Sequence, residues 1–210
     1  MLAPTPVNLA VLASGSGSNF EALIEAERRG GLGGRVAVLL CDTPGAPVLA
    51  RAARLGVEAL TPPTGATRTR LADERPWLEA LRARQVSVVL LAGFMRRLHA
   101  PLLDAFPDRI VNVHPSLLPA FPGLDAIGQA LRAGVRVTGV TVHLVNEALD
   151  GGAILAQAPV EVREHDTLES LAARVHAVEH VLYPETVRRF LTEPWRRDGA
   201  RVVFEAGARS

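Results

Sequence analysis

Short apolar runs rich in β-branched residues alternate with helical segments through the first half of the chain, and this alternation predicts a parallel sheet. The runs that read as strands are Val7–Leu12, Val36–Cys41, Val57–Leu60, Val86–Leu91 and Ile110–His114. The helical segments between them are Phe20–Arg29, Ala46–Leu55 and Arg68–Arg84, with Pro76 expected to break or restart the last one. Because Val86–Leu91 is almost continuously apolar, we expect helices on both faces of the sheet.

The pattern changes after a helix predicted over Ala126–Ala133. Two longer strands, Val137–Val145 and Ile154–Val162, are joined by a loop, and Asp198-Gly199 predicts a hairpin near the C-terminus. Asp166 and Glu169 have the spacing of a capping box. It would start a long helix, whose apolar stripe is Leu168, Leu171, Val175, Val178 and Leu182. We expect an α/β fold: a Rossmann-like, mostly parallel central sheet in the N-terminal half, with longer, partly antiparallel strands in the C-terminal half.

Composition limits the possible partners. The chain has 210 residues, of which 48% are hydrophobic, and this length and apolarity predict a single folded domain. A net charge of +1 provides no long-range field for nucleic acid, and no stretch approaches the roughly twenty apolar residues of a membrane span. The segment Met1–Leu9 lacks the features of a cleaved signal, so we expect a cytoplasmic protein.

Residue types exclude several chemistries. All 23 Lys+Arg residues are arginine, which rules out a lysine Schiff base and the lysine of ordinary phosphate-binding loops. The single cysteine, Cys41, rules out an internal disulfide and any multi-thiolate metal site.

The loop Ser14–Asn19 lies between a predicted strand and a predicted helix, where glycine-flanked backbone amides bind anions. The alternative is a tight turn without a ligand. Gly15-x-Gly17 with Asp42 on the next strand imitates a dinucleotide fingerprint, but Phe20 stands where the third glycine is needed. A monophosphate therefore suits the loop better than a dinucleotide.

Two polar residues, Asn112 and His114, alternate with valine along the fifth predicted strand and so share one face near its end. An amide donor beside an imidazole suits acyl transfer, because the amide stabilises an oxyanion and the imidazole exchanges protons. An internally satisfied pair that anchors the following loop is an equal alternative. Asp150 before two glycines is, taken alone, ordinary turn chemistry.

The sequence His176-Ala-Val-Glu179-His180 matches a zinc-peptidase motif. No third ligand follows at a recognisable spacing, and Glu185 and Glu193 would be speculative choices. A solvated or ligand-facing polar edge of the helix is therefore favoured over a zinc site.

Taken together, these segments resemble the phosphoribosylglycinamide formyltransferases, the folate-dependent glycinamide ribonucleotide transformylases of purine synthesis. The similarity extends from Val7 to about Val187. The most specific motif is Asn112–Pro119, followed by Phe121-Pro122-Gly123 and Asp150-Gly151-Gly152, which other formyltetrahydrofolate enzymes share. Further segments favour the glycinamide ribonucleotide enzymes: Ser14–Asn19, Ala92–Arg96 and Glu179-His180.

The resemblance implies roles for particular residues. Its catalytic set would be Asn112, His114 and Asp150. The ribonucleotide would contact Gly17, Ser18, Asn19, Met95, Pro115, His176 and Glu179, with its phosphate on the loop and its ribose on Glu179. The co-substrate 10-formyltetrahydrofolate would contact Arg96, Leu98, Val145, Asn146, Glu147 and Asp150, and no metal is required. The chain would act as a monomer or homodimer on small molecules.

The resemblance also implies an internal organisation. Residues up to about 100 would bind the phosphate, residues 101–193 would bind folate and catalyse, and residues 194–210 would form a C-terminal hairpin. One departure concerns His176, which stands where relatives carry a lysine, and this predicts pH-sensitive phosphate affinity. The alternatives are a formyltetrahydrofolate hydrolase, a sugar formyltransferase, or a non-catalytic Rossmann-like nucleotide-binding module. The hydrolase and the methionyl-tRNA enzyme would be expected to carry a further domain.

Overall fold

The structure, a computed structural model, describes residues 7–66 and 69–205. The predictions drawn from Met1–Leu9, from the start of Arg68–Arg84 and from the end of the chain fall partly outside these residues. The strands are β1 (Val7–Ala13), β2 (Gly34–Cys41), β3 (Ala59–Leu60), β4 (Val88–Leu91), β5 (Ile110–His114), β6 (Val137–Leu144), β7 (Ile154–Glu161), β8 (Trp195–Asp198) and β9 (Arg201–Phe204). The helices are α1 (Ser18–Arg28), α2 (Pro47–Leu55), α3 (Arg75–Ala83), α4 (Ala100–Ala105), α5 (Ala126–Arg132) and α6 (Leu168–Thr192).

All of these strands belong to one sheet, in the order β3-β2-β1-β4-β5-β6-β7-β9-β8. Strands β1 to β5 run parallel, whereas β6 is antiparallel to β5 and β7 is antiparallel to β6. The fold class expected from the sequence is confirmed. The chain proceeds outward from β1 to β3 and then places β4 on the other side of β1. Strand order therefore reverses between β1 and β4, and open α/β sheets bind ligands at the carboxyl edge of such a point.

Helices cover both faces of the sheet. One apolar cluster contains residues of α1, α2, α5 and α6, and a second contains residues of α3 and α4. Strand β1 contributes to both, because Leu9 and Val11 belong to the first cluster and Ala10 and Leu12 to the second. Successive side chains of a strand point to opposite faces, so a strand covered on both sides must be apolar throughout. In β1 and β4, polar chemistry is consequently confined to the strand ends.

Helix α6 is fixed to the centre of the sheet by Tyr183, the single tyrosine of the chain. Its side chain is fully buried, and its hydroxyl lies 3.0 Å from the carbonyl oxygens of both Leu91 in β4 and Val111 in β5. Burial raises the pKa of this phenol well above its usual value, so the hydroxyl remains a hydrogen-bond donor. The anchor holds the middle of α6 against the two strands that lead into the carboxyl edge.

The start of α6 differs from the sequence-based expectation. Thr167 is the N-cap and exchanges hydrogen bonds with Ser170, so the predicted capping box of Asp166 and Glu169 is wrong. Both pairs have the same spacing, but two hydroxyl residues can each accept from the other's amide. The Asp166 carboxylate instead accepts from the Ser170 hydroxyl and pairs with Arg174. Leu168 is 51% exposed and does not join the buried stripe.

Helix α4 has no counterpart in the sequence-based assignment. Its first turn is capped by the Glu74 carboxylate, which accepts from the amides of His99 at 2.7 Å and Leu102 at 3.0 Å. Burial raises the pKa of Glu74, and the two amide bonds oppose that shift. Because the capping residue, Glu74, lies far from α4 along the chain, no local sequence pattern predicts this helix. Helix α3 begins only at Arg75, with Pro76 in its first turn.

The C-terminal hairpin joins the far edge of the sheet. Strands β8 and β9 pair antiparallel around Asp198-Gly199, and β9 contacts β7 through the pair Ile154 and Arg201. Across residues 7–66 and 69–205, every helix is too short or too polar to cross a membrane.

We expect Tyr183→Phe to lower the free energy of unfolding by about 1–3 kcal/mol, because two buried carbonyl groups lose their shared donor. Urea denaturation followed by circular dichroism measures the change. Thr192→Val is the control, since it removes an exposed helical hydroxyl that donates to Arg188, and it should change stability by less than about 0.5 kcal/mol. Equal stabilities for Tyr183→Phe and the unaltered protein would contradict the anchoring role.

Candidate active site

A cavity of about 670 Å³ opens at the carboxyl edge of β1, β4 and β5. Every site residue implied by the family resemblance lines it. These residues are Gly17, Ser18, Asn19, Met95, Arg96, Leu98, Asn112, His114, Pro115, Val145, Asn146, Glu147, Asp150, His176 and Glu179. Segments separated by more than a hundred positions thus meet at the point where strand order reverses.

The loop after β1 presents the start of α1 to this cavity. Gly17 is the N-cap in the left-handed region, with φ of 78°, and α1 has no side-chain cap. A Cβ at this position would lie 2.4 Å from a methyl carbon of Val48, so the position requires glycine. The first-turn amides of Ser18 and Asn19 therefore keep no capping partner, and with the helix dipole they suit an anion. Phe20 is fully buried in the core, which disfavours the dinucleotide alternative.

A buried carboxylate faces the same loop from α6. Glu179 is 3% exposed, and its Oε2 accepts from the Asn19 amide nitrogen at 2.8 Å and lies 2.9 Å from His176 Nδ1. The hydrogen bond between Glu179 and His176 raises the pKa of His176, whereas burial lowers the pKa of His180. The two histidines of the zinc-like motif thus have different surroundings. No group of three metal-ligating side chains is found in the described parts of the chain.

Asn112 on β5 is joined to His143 on β6, its cross-strand partner. The His143 Nδ1–H donates to the carbonyl oxygen of Leu144 at 2.8 Å, because a carbonyl can only accept. His143 Nε2 is therefore the acceptor for the Asn112 side-chain amide, 3.1 Å away. Burial lowers the pKa of His143 and keeps the ring neutral. This arrangement fixes the orientation of the Asn112 amide and leaves its second hydrogen for another acceptor.

Asp150 lies beside both imidazoles of the cluster. Its Oδ2 is 3.6 Å from His114 Nδ1, and its Oδ1 is 3.8 Å from His143 Nε2. The same Oδ2 accepts from the Gly123 amide at 2.7 Å. Asp150 has a φ of 49°, a strained value for a residue with a Cβ, and such strain concentrates at functional sites. His114 Nε2–H donates to the Phe121 carbonyl at 2.9 Å, so Nδ1 is the nitrogen that faces Asp150.

The loop that carries Asp150 is packed tightly against β6. A Cβ at Gly152 would lie 1.7 Å from the carbonyl oxygen of Leu144, so this position requires glycine for lack of space. Across the cavity mouth, the Arg97 guanidinium donates to the Glu147 carbonyl at 2.9 Å. Apolar side chains line the wall between these segments: Leu91, Phe94, Met95, Leu98, Val145 and Leu149.

The Arg96 side chain is largely buried and forms an ion pair with Asp42. Its Nε lies 2.6 Å from Asp42 Oδ2, and only 11% of the Arg96 side chain is exposed. Thr43 donates to the other Asp42 oxygen. Asp42, which the dinucleotide alternative assigned to a ribose, is thus occupied by protein partners. The ion pair ties the end of β2 to the segment that follows β4.

His143 is the main site residue that sequence reasoning missed. A lone histidine carries no functional signal, although Thr141 and His143 alternate with apolar residues along β6 just as Asn112 and His114 do along β5. The two pairs lie opposite each other in the sheet: Asn112 faces His143, and His114 faces Thr141. The alternation in β6 can be read from the sequence. The antiparallel register that places His143 opposite Asn112 cannot.

Comparison with known proteins places the chain among enzymes of one kind. The formyl transferase family model matches residues 7–187. A phosphoribosylglycinamide formyltransferase from Bacillus subtilis is 44% identical over 87% of this chain and 93% of its own length. The Escherichia coli protein of that name is 36% identical, with coverages of 96% and 92%. A glycinamide ribonucleotide transformylase from Symbiobacterium toebii has a TM-score of 0.91 and 46% identity, covering 96% of this chain and 95% of that one.

The neutral state of His143 predicts a pH-dependent contribution to stability. Its pKa in the folded protein lies below the value of 6.5 that applies when it is unfolded. As the pH falls from about 6.5 towards the lower pKa of the folded state, the unfolded chain binds a proton that the folded chain does not. The free energy of unfolding therefore decreases. We expect His143→Gln to remove this part of the pH slope, measured by urea unfolding at about pH 7 and about pH 5.5. Exposed His165→Gln is the control, and identical slopes for His143→Gln and the unaltered protein would show that His143 titrates normally.

Proposed function

Because the chain belongs to the formyl transferase family, we propose that it transfers the formyl group of 10-formyltetrahydrofolate to the amine of glycinamide ribonucleotide, a step of purine biosynthesis. One observation carries the proposal. The uncapped start of α1 and the cluster of Asn112, His114 and Asp150 line the same cavity. One cavity would therefore hold both the proposed phosphate site and the proposed acyl-transfer centre.

The ribonucleotide fits the half of the cavity formed by β1 and α6. We assign its 5′-phosphate to the backbone amides of Gly17, Ser18 and Asn19, where a helix N-terminus replaces the missing lysine. We assign the ribose hydroxyls to Glu179. Its Oε2 already accepts from Asn19 and contacts His176, so Oε1 is the oxygen for the sugar. Met95 and Pro115 would line the path from the ribose to the reacting amine.

The formyl donor fits the other half. Its flat ring system suits the apolar wall around Leu98 and Val145, while main-chain groups of the segment 145–150 supply hydrogen bonds to the ring edge. Arg96 would contribute its backbone, since its guanidinium is paired with Asp42. Asn146 and Glu147 shape this loop, in which the Asn146 side chain accepts from the Ala148 amide at 3.0 Å. When bound, the donor would supply an electrophilic formyl carbon.

The reaction requires stabilisation of an oxyanion. The ribonucleotide amine attacks the formyl carbon, forming a carbon–nitrogen bond and placing negative charge on the formyl oxygen. Asn112 has a second amide hydrogen for this oxygen, because His143 uses only the first. The orientation of that hydrogen is set before the substrate binds, and preorganised donors of this kind give large rate effects.

Proton movement completes the transfer. The attacking nitrogen must lose a proton, and the folate nitrogen must gain one as its bond to the formyl carbon breaks. We assign this exchange to His114: while Nε2–H donates to the Phe121 carbonyl, the unprotonated Nδ1, 3.6 Å from Asp150, takes the proton from the attacking nitrogen through water and returns it to the folate nitrogen. The Asp150 carboxylate stabilises the imidazolium that forms when His114 takes the proton. The proposed chemistry forms no covalent enzyme intermediate.

We expect Asn112→Ala to lower kcat about 10²–10³-fold and Asp150→Asn to lower it at least about 10²-fold, because both remove stabilisation that develops during the reaction. The KM for the ribonucleotide should change by less than about threefold, since neither side chain contacts the phosphate site. Steady-state kinetics with each substrate varied in turn measures both quantities. Unchanged turnover accompanied by weaker ribonucleotide binding would overturn the catalytic assignment.

The decisive test of the activity is an assay with glycinamide ribonucleotide and 10-formyltetrahydrofolate, in which release of tetrahydrofolate is followed. Free glycinamide and water serve as control acceptors. We expect turnover only with the phosphorylated acceptor. Equal release of tetrahydrofolate without any amine acceptor would identify a hydrolase instead.

His176 predicts how ribonucleotide affinity depends on pH. The hydrogen bond to Glu179 raises the pKa of His176 above 6.5. The ring is therefore charged at about pH 6 and loses that charge as the pH rises. We expect the KM for the ribonucleotide to rise between about pH 6 and about pH 8 in the unaltered protein, and to rise less in His176→Ala. His180→Ala is the control on the same helix. Parallel trends in all three proteins would exclude His176 from the phosphate site.

A further inference from the structure

Arg51 contacts the candidate phosphate loop from outside the cavity. It lies on α2, and its Nε donates to the carbonyl oxygen of Ser16 at 2.8 Å. The same guanidinium pairs with the Glu21 carboxylate of α1, and 34% of the Arg51 side chain is exposed. One side chain thus bonds both the loop before α1 and the first turn of that helix.

Two further contacts join α2 to the loop. The Val48 amide donates to the carbonyl oxygen of Gly15 at 3.1 Å. The Val48 side chain fills the space where Gly17 would carry a Cβ. The three successive residues Gly15, Ser16 and Gly17 are therefore each held by α2.

These contacts determine which polar groups of the loop face a ligand. Carbonyl oxygens repel an anion, whereas amide hydrogens attract it. Because donors on α2 bind the Gly15 and Ser16 carbonyls, both oxygens are turned away from the position where a phosphate would meet the amides of Gly17–Asn19. The Ser16 carbonyl has a charged donor, the stronger kind of hydrogen bond.

Arg51 also offsets an unfavourable charge. Glu21 lies in the first turn of α1, where its carboxylate competes with an anionic ligand for the positive end of the helix. Both Arg51 and Arg54 pair with this carboxylate. Arg54 has the same charge and pairs with the same Glu21 carboxylate, whereas the bond to the Ser16 carbonyl comes from Arg51, so the chain provides its own matched comparison.

We infer that Arg51 is a positioning residue for phosphate recognition: it holds the Ser16 carbonyl away from the anion and so presents the amides of Gly17, Ser18 and Asn19. The inference rests on the proposed function, because it assigns the loop to the ribonucleotide phosphate. Arg51 acts through the loop and does not itself contact substrate.

The test compares Arg51→Met, Arg51→Lys and Arg54→Met. We expect Arg51→Met to raise the KM for glycinamide ribonucleotide about tenfold, the effect of losing one hydrogen bond to a charged group. The KM for 10-formyltetrahydrofolate and kcat should stay within about twofold, and all three parameters should do so in Arg54→Met. Arg51→Lys keeps the charge but has a single nitrogen, so it should lie between the unaltered protein and Arg51→Met.

A binding measurement separates this inference from the proposed activity. Calorimetric titration with ribose 5-phosphate and with ribose reports the phosphate contribution without turnover. Loss of about tenfold in affinity for the phosphorylated sugar alone, with unfolding temperatures similar in Arg51→Met and Arg54→Met, supports the positioning role even if formyl transfer is absent. Equal affinities in Arg51→Met and Arg54→Met, or an equal loss for ribose, would overturn it while leaving a measured formyl transfer intact.

Discussion

The burial of the central sheet on both faces is the constraint on which the site depends. Strands β1, β4 and β5 are apolar along most of their length, so polar side chains can be accommodated only where these strands end. At that edge, the reversal of strand order leaves a cavity between the loop after β1 and the segment after β4. The chemistry of the protein is thus located by the same apolar packing that stabilises the fold.

Helix α6 connects the sheet to the binding half of the cavity. Tyr183 fixes its middle to β4 and β5, and Glu179, one turn earlier, meets Asn19 at the start of α1. The buried carboxylate therefore lies on a rigid element and needs no movement of its own to face the loop. A site built on such elements holds its geometry more accurately than one built only from loops.

The sequence was sufficient for the fold class, for the loop after β1 and for the pair Asn112 and His114, because strand periodicity and glycine position are local signals. The other site residues followed only from the resemblance to a known family. The sequence was insufficient where a partner lies far along the chain. Helix α4 depends on a cap from Glu74, and the role of His143 depends on its register opposite Asn112. The start of α6 was misplaced for a different reason: two overlapping residue pairs satisfy the same spacing, and only their hydrogen bonds distinguish them.

The antiparallel pairing of β5 with β6 has a consequence for how the chain can vary. Asn112 and His143 meet only because their strands keep one register, and a slip of one residue would turn the side chains of one strand to the opposite face. Insertions and deletions inside these strands would therefore separate the cluster. The turn between α5 and β6 lies outside this pairing, so length changes there leave the register intact. The chain can therefore tolerate length changes in this turn, whereas β5 and β6 must keep their lengths.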